Sequence, residues 1–145
     1  MMNSCRTASQ RITLNSNMLI VLKGDPLSTG GIYATSFTGK FAHRYLKKQG
    51  KDMKESYGWQ ARAQWKGKPL EGAIFARIGL YFGDKRVRDI DNFHKLSFDA
   101  LTGIVWLDDS QIQKMIVEKF YDKENPRIEI EIEEMVAKLA PHLVK

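Results

Sequence analysis

The sequence predicts a mixed α+β domain, and three observations carry that expectation. Strict two-residue alternation runs through Glu71–Phe82 and again through Arg127–Glu133, as half-buried strands require. Four-residue spacing of Met53, Tyr57, Ala61 and Trp65, and a second helical period between Asp91 and Leu101, mark two amphipathic helices. The two kinds of segment interleave along the chain without an internal repeat, so neither an all-helical bundle nor a sandwich fits. A chain of 145 residues suits one domain. We assign residues 1–17 to a polar tail and 18–145 to a single domain.

Taken in order, Met18–Lys23 is a short apolar strand stopped by Gly24, Asp25 and Pro26, with Leu27–Gly31 a loop. Ile32–Phe37 and Lys40–Leu46 flank Thr38-Gly39 and read as a hairpin. Lys48–Trp65 is the first main helix, ended by Lys66-Gly67-Lys68-Pro69. The Glu71–Phe82 strand puts Ile74, Ala76, Ile78, Leu80 and Phe82 on its buried face. The second main helix, Asp91–Leu101, stops before Gly103. Ile112–Tyr121 and Arg127–Glu133 are expected to pair as a second hairpin across Lys123–Pro126, and Glu134–Val144 to form a short terminal helix.

Composition excludes several classes. A single cysteine cannot staple a secreted scaffold. The longest apolar run, Met18–Leu22, is far shorter than the ~20 residues that span a bilayer, and the first ten residues lack a signal-peptide core. The expectation is a soluble, cytoplasmic protein with no membrane partner. Net charge is +6, and it is concentrated: Lys40–Arg88 holds 13 Lys and Arg against four acids, interleaved with Phe41, Tyr45, Tyr57, Trp59 and Trp65. Cations that displace counterions beside rings that can stack suit a nucleic acid, although a solvated basic helix face would read the same way.

Four aspartates, Asp89, Asp91, Asp108 and Asp109, bracket the second main helix. Asp89 and Asp91 occupy the junction of strand and helix, and a return after Gly103 can bring Asp108 and Asp109 beside them. Converging carboxylates with only oxygen donors select a hard cation such as Mg²⁺ or Mn²⁺, which beside a basic surface points to metal-assisted phosphodiester hydrolysis. The plainer alternative makes Asp91 a helix cap, Asp108-Asp109-Ser110 a turn or cap, and Asp99 a helical partner of Lys95. No zinc spacing links Cys5, His43, His94 and His142, and Thr38-Gly39-Lys40 is not a phosphate-binding loop.

The stretch Arg88–Ile112, R-D-I-D-N-F-H-K-L-S-F-D-A-L-T-G-I-V-W-L-D-D-S-Q-I, resembles the signature of the RusA-type Holliday-junction resolvases: R-D-x-D-N-x-x-K, then D-A-L, then D-D-x-Q. Val21–Tyr33 and the closing R-I-E-I-E-I strand are similar to the same family, with Gly30 and Gly31 where members often carry asparagines. The resemblance implies a homodimeric endonuclease using Mg²⁺ (Mn²⁺ also serving), with no other cofactor. It would cut four-way DNA junctions by paired symmetric nicks in recombination and repair. By the same resemblance Asp89, Asp91 and Asp109 are the metal-binding catalytic aspartates, with Asp108 assisting. Lys95 would reach the scissile phosphate and Arg88 the DNA backbone. Asn92 would orient the aspartates, and Lys85 and Arg86 extend the DNA-contacting surface. An apolar sheet face would make the dimer interface. Two alternatives stay open, a non-catalytic branched-DNA-binding protein and a nuclease for other branched nucleic acids.

Overall fold

The computed structural model describes residues 18–135 and bears out the mixed α+β class. The expected polar tail therefore lies outside the described residues. So does the expected terminal helix beyond its first two positions, where Glu134 instead ends a strand and Met135 N donates to Ala73 O at 2.7 Å.

The elements are β1 (Met18–Lys23), α1 (Thr29–Ile32), β2 (Tyr33–Thr38), β3 (Phe41–Leu46), α2 (Lys48–Gln64), β4 (Ile74–Phe82), α3 (Lys95–Leu101), β5 (Ile112–Tyr121) and β6 (Arg127–Glu134). Single 3₁₀ turns at Ile90–Asn92 and Asp109–Gln111 precede α3 and β5. The main sheet runs β1-β6-β4-β5, while β2 and β3 form a separate two-stranded arm. Gly39, with φ +60°, makes the turn of that arm.

The alternating strands bury the faces expected of them. Ile74, Ala76, Ile78, Leu80 and Phe82 of β4 meet Ile128, Ile130 and Ile132 of β6 and Ile20 and Leu22 of β1 beneath α2 and α3. Helix α2 contributes Tyr57 and Ala61, and α3 contributes Leu96, Phe98 and Leu101 around the fully buried Trp106. Gln64 makes a two-way bond with the backbone of Val21, Oε1 accepting from N and Nε2 donating to O, both at 2.8 Å. Gln60 Oε1 likewise accepts from Lys23 N at 2.7 Å. These amides satisfy outer-edge groups of β1 at Val21 and Lys23, beyond which no strand lies among the described residues.

Four expectations are corrected. β5 and β6 are not a hairpin: β5 pairs parallel with β4, and β6 pairs antiparallel with β4 on the other side. β4 lies between the two strands, and residues 122–126 step over its end, where Asp122 N donates to Phe82 O at 2.8 Å. Arg127 locks this step by bonding Asp122 and Asn125 O, each at 2.8 Å, while its guanidinium covers the Tyr81 ring. Second, part of the expected loop is α1, a single turn whose Gly31 N donates to Ser28 Oγ at 3.2 Å. Third, the expected Asp91–Leu101 helix is split, with helical hydrogen bonding beginning only at Lys95. The sheet's outer face is mixed rather than apolar, carrying Arg77, Tyr81, Glu118, Phe120 and Glu129.

Candidate active site

The parallel crossover from β4 to β5 carries every candidate residue. After β4 the chain makes a tight loop in which Asp84 Oδ1 accepts from Arg86 N at 3.0 Å and from Arg88 Nη2 at 2.6 Å. Arg88 also donates to Asp84 O and Arg86 O and covers the Phe82 ring at 4.2 Å, leaving its side chain 14% exposed. The backbone N–H of Arg86, then the Arg88 guanidinium, hold the Asp84 carboxyl down at about 2. Asp25, in the loop after β1, joins the assembly by accepting from Gly83 N at 2.9 Å. A cleft of about 360 Å³ opens between these two loops.

Lys119 Nζ donates to Arg88 O at 2.7 Å, so the chain next runs back along β5. Asp89 is extended and Asp91 lies in the 3₁₀ turn, both exposed. Strand-like spacing of two, which would put both carboxylates on one side of the chain, therefore does not relate their side chains. Nor does either serve as a side-chain cap: Asp89 precedes the 3₁₀ turn without a capping bond, and His94 precedes α3 likewise. His94 is half-buried against Phe98, and burial lowers its pKa while Asp91 opposes that shift. Its Nδ1 is buried with no hydrogen-bond partner among the described residues.

Lys95 is the centre of the arrangement. Its Nζ lies 3.0 Å from Asp99 Oδ1 and 3.0 Å from Asp109 Oδ2. Those two hydrogen bonds, Asp99 first, hold its pKa above the ordinary lysine value, so it stays a cation. Asp99 in turn accepts from Tyr33 Oη at 3.3 Å, and Arg44 of β3 covers the Tyr33 ring at 4.2 Å. The β2–β3 arm is thus joined to the lysine through one carboxylate.

Asp108 and Asp109 divide their duties. Asp108 Oδ2 accepts from Ser110 N at 3.1 Å, capping the 3₁₀ turn, and hydrogen bonds from Ser110 lower its pKa. Asp109 faces Lys95 instead. Gln111 Oε1 accepts from Leu107 N and Asp108 N, while its Nε2 donates to Leu70 O and Gly72 O at 2.8 and 3.0 Å. Sequence reasoning gave no role to Gln111 or Asp25. The three-residue spacing from Asp108, that of a capping box, was the signal available for Gln111.

The crossover thus brings Lys95, Asp109 and Asp108 together, with Asp91 beside His94. Among the described residues no three or more His, Cys, Asp or Glu side chains are grouped so as to hold a metal ion. The donors of Asp89, Asp91 and Asp109 are all carboxylate oxygens, the chemistry a hard divalent ion takes, and the Lys95 ammonium already stands as a cation against Asp109. Lys85 and Arg86 are exposed nearby, Lys85 Nζ lying 4.8 Å from the Tyr121 ring centre. Among the described residues no helix is long and apolar enough to cross a membrane.

Comparison with known proteins bears on the same segment. The sequence profile of the family described as Endodeoxyribonuclease RusA matches residues 24–133, well over half of the chain. The crossover junction endodeoxyribonuclease of Enterobacteria phage 82 is 45% identical over 60 residues, 41% of this chain and 50% of that protein. Its counterpart from Escherichia coli K12 is 43% identical over 60 residues, with the same shares. The uncharacterized protein YqaN of Bacillus subtilis 168 is 45% identical over 49 residues, 34% of each chain. The chain spans about half the length of the curated crossover-junction relatives it matches.

Proposed function

Because the chain belongs to the RusA endodeoxyribonuclease family, we propose that it is a structure-selective endonuclease that cuts four-way DNA junctions by paired symmetric nicks, in recombination and repair. The single observation that carries this reading is Lys95, a cation held between Asp99 and Asp109 at the end of a basic, ring-bearing segment. The names of the relatives supply the substrate: those proteins are called crossover junction endodeoxyribonucleases.

In this reading Asp89, Asp91 and Asp109 would hold Mg²⁺, or Mn²⁺. The ion would supply an activated water and neutralise charge on the phosphate. Lys95 contributes a preorganised positive charge to the same phosphate as the transition state develops. Asp99 gives Lys95 an anchor independent of Asp109, keeping the ammonium aimed while Asp109 serves the ion. Asp108 and Gln111 fix the turn that presents Asp109. Lys85 and Arg86 contact the DNA backbone, and Arg88 shapes the loop that displays them.

A homodimer accounts for paired nicks, since two identical sites related by a two-fold axis match the approximate symmetry of a junction. Specificity then comes from shape and phosphate positions more than from base edges. Cytoplasmic DNA is the substrate pool.

The test follows an end-labelled synthetic four-way junction and a linear duplex with purified protein in Mg²⁺ and in EDTA. Symmetric nicks on the junction alone, dependent on Mg²⁺, are expected. Asp91→Asn should lose cleavage while keeping junction binding. A fully active variant, or loss of binding together with cleavage, would sink the catalytic assignment.

A further inference from the structure

Beside the Lys95 site, on the face where α2 crosses α3, lies an open groove of about 610 Å³ to which the proposed mechanism assigns nothing. Leu46, Gly58, Ala100 and Ile104 line it with small and apolar groups. Trp59, 64% exposed, stands at its rim, with the Arg62 guanidinium 5.7 Å from the ring centre. Lys51 and Lys54 are exposed on the same rim, about two turns and about one and a half turns before Trp59. Two acids also line the groove, Glu55 and Asp99, and Asp99 is bonded to Lys95.

A tryptophan this exposed, on a helix with a well-filled buried face, is not needed for the core. Its ring offers a stacking surface of hydrocarbon and π-electrons, and the cations around it fit phosphates. Inside a duplex the faces of the bases are already stacked on one another. Only an unpaired base can use the ring, whereas a duplex backbone would use the lysines and ignore it.

We propose that the Trp59 groove is a binding site for an unpaired segment of DNA, one base stacking on Trp59 and its neighbouring phosphates meeting Lys51, Lys54 and Arg62. The groove shares Asp99 with the lysine site, so such a base lies next to the strand to be cut. That placement rests on the nuclease reading; the groove's preference for single strands does not.

Fluorescence anisotropy of a short 5′-labelled single strand and of its duplex, with the full chain in EDTA, tests the groove without cleavage. Trp59→Ala should weaken single-strand binding about tenfold, within the range for loss of one stacked base, and leave duplex binding within twofold. Trp59→Phe keeps a ring and should stay within threefold of the parent. The double variant Lys51→Ala/Lys54→Ala should flatten the slope of log K against log salt for the single strand by about 1.4, the share of two phosphates.

Single-strand affinity unchanged in Trp59→Ala overturns the proposal, as does an equal loss on strand and duplex. An unchanged salt slope in the double variant, or a Trp59→Phe loss matching that of Trp59→Ala, does so too. Should the parent fail to cut junctions in Mg²⁺ while Trp59→Ala still loses single strands selectively, the cleavage reading falls and the groove stands.

Discussion

Gln111→Leu removes the side chain that binds the Asp108–Asp109 turn to the irregular segment leading into β4. Four hydrogen bonds of 2.8–3.0 Å are lost. At about 1 kcal/mol each their sum has an upper limit of roughly 4 kcal/mol. The amides of Leu107 and Asp108 are exposed and regain partners from water, and Leu70 O keeps a bond from Leu107 N at 3.3 Å, so about 1–2 kcal/mol remains, chiefly from the part-buried carbonyl of Gly72. With an unfolding entropy of about 2.1 cal/mol/K per residue, that corresponds to a fall in Tm of roughly 3–7 °C. Urea denaturation gives the stability, and single-turnover junction cleavage well below the melting range gives the chemistry. Cleavage is expected to fall at least tenfold with junction affinity within threefold, because the variant misplaces Asp109 without touching the basic surface. A variant that melts within 2 °C of the parent and cuts at the parental rate would refute the idea that Gln111 braces the site. Lost stability with unchanged cleavage would confine Gln111 to the fold.

Three further outcomes follow from contacts elsewhere. The Asp84 carboxyl is expected to titrate by NMR at about 2, below the ordinary 3.8. The stability it contributes is therefore complete above pH 3.8 and lost as pH falls through about 2; Arg88→Met should move that midpoint upward. Tyr57→Phe removes a hydroxyl that is buried with no hydrogen-bond partner among the described residues, so chemical denaturation should find the variant up to about 1 kcal/mol more stable. Gly50→Ala places a Cβ 2.6 Å from Leu46 Cδ1 and 3.0 Å from Ile32 Cβ, at the base of the β2–β3 arm. Overpacking of about 1–3 kcal/mol should exceed the gain in helix propensity of about 1 kcal/mol, and a lower Tm is expected.

The parts of the fold legible in the sequence were those governed by period. β1 spans Met18–Lys23, as its apolar run and the following Gly-Asp-Pro predict, and β4 buries the five residues that alternation selects. Strand pairing was not legible, because the short Lys123–Pro126 link suits a hairpin as well as it suits a step across the end of β4. Only the insertion of β4 between β5 and β6, a long-range pairing, tells them apart. The α1 turn escaped notice because Thr-Gly-Gly-Ile has poor helix propensity and rests on the Ser28 cap.

At the site, the Lys95–Asp99 pair was readable from its helical spacing, and Asp108 as a cap from the turn-forming Asp-Asp-Ser. The contact of Lys95 with Asp109 was not, since it depends on how far the crossover returns along β5. The self-contained Asp84–Arg88 loop is a third case. Arg88 looks from sequence like a free cation and is folded back onto its own loop.

The glutamines of α2 have a consequence for self-association. Gln60 and Gln64 occupy the hydrogen-bonding groups of β1 that an incoming strand would need. β5 is the other terminal strand, and among the described residues no strand lies beyond it. Among the described residues the main sheet therefore has β5 as its open margin, the β2–β3 arm standing apart. Joining of two β5 margins consumes both, so extension of the main sheet through β5 ends at a pair rather than a fibre.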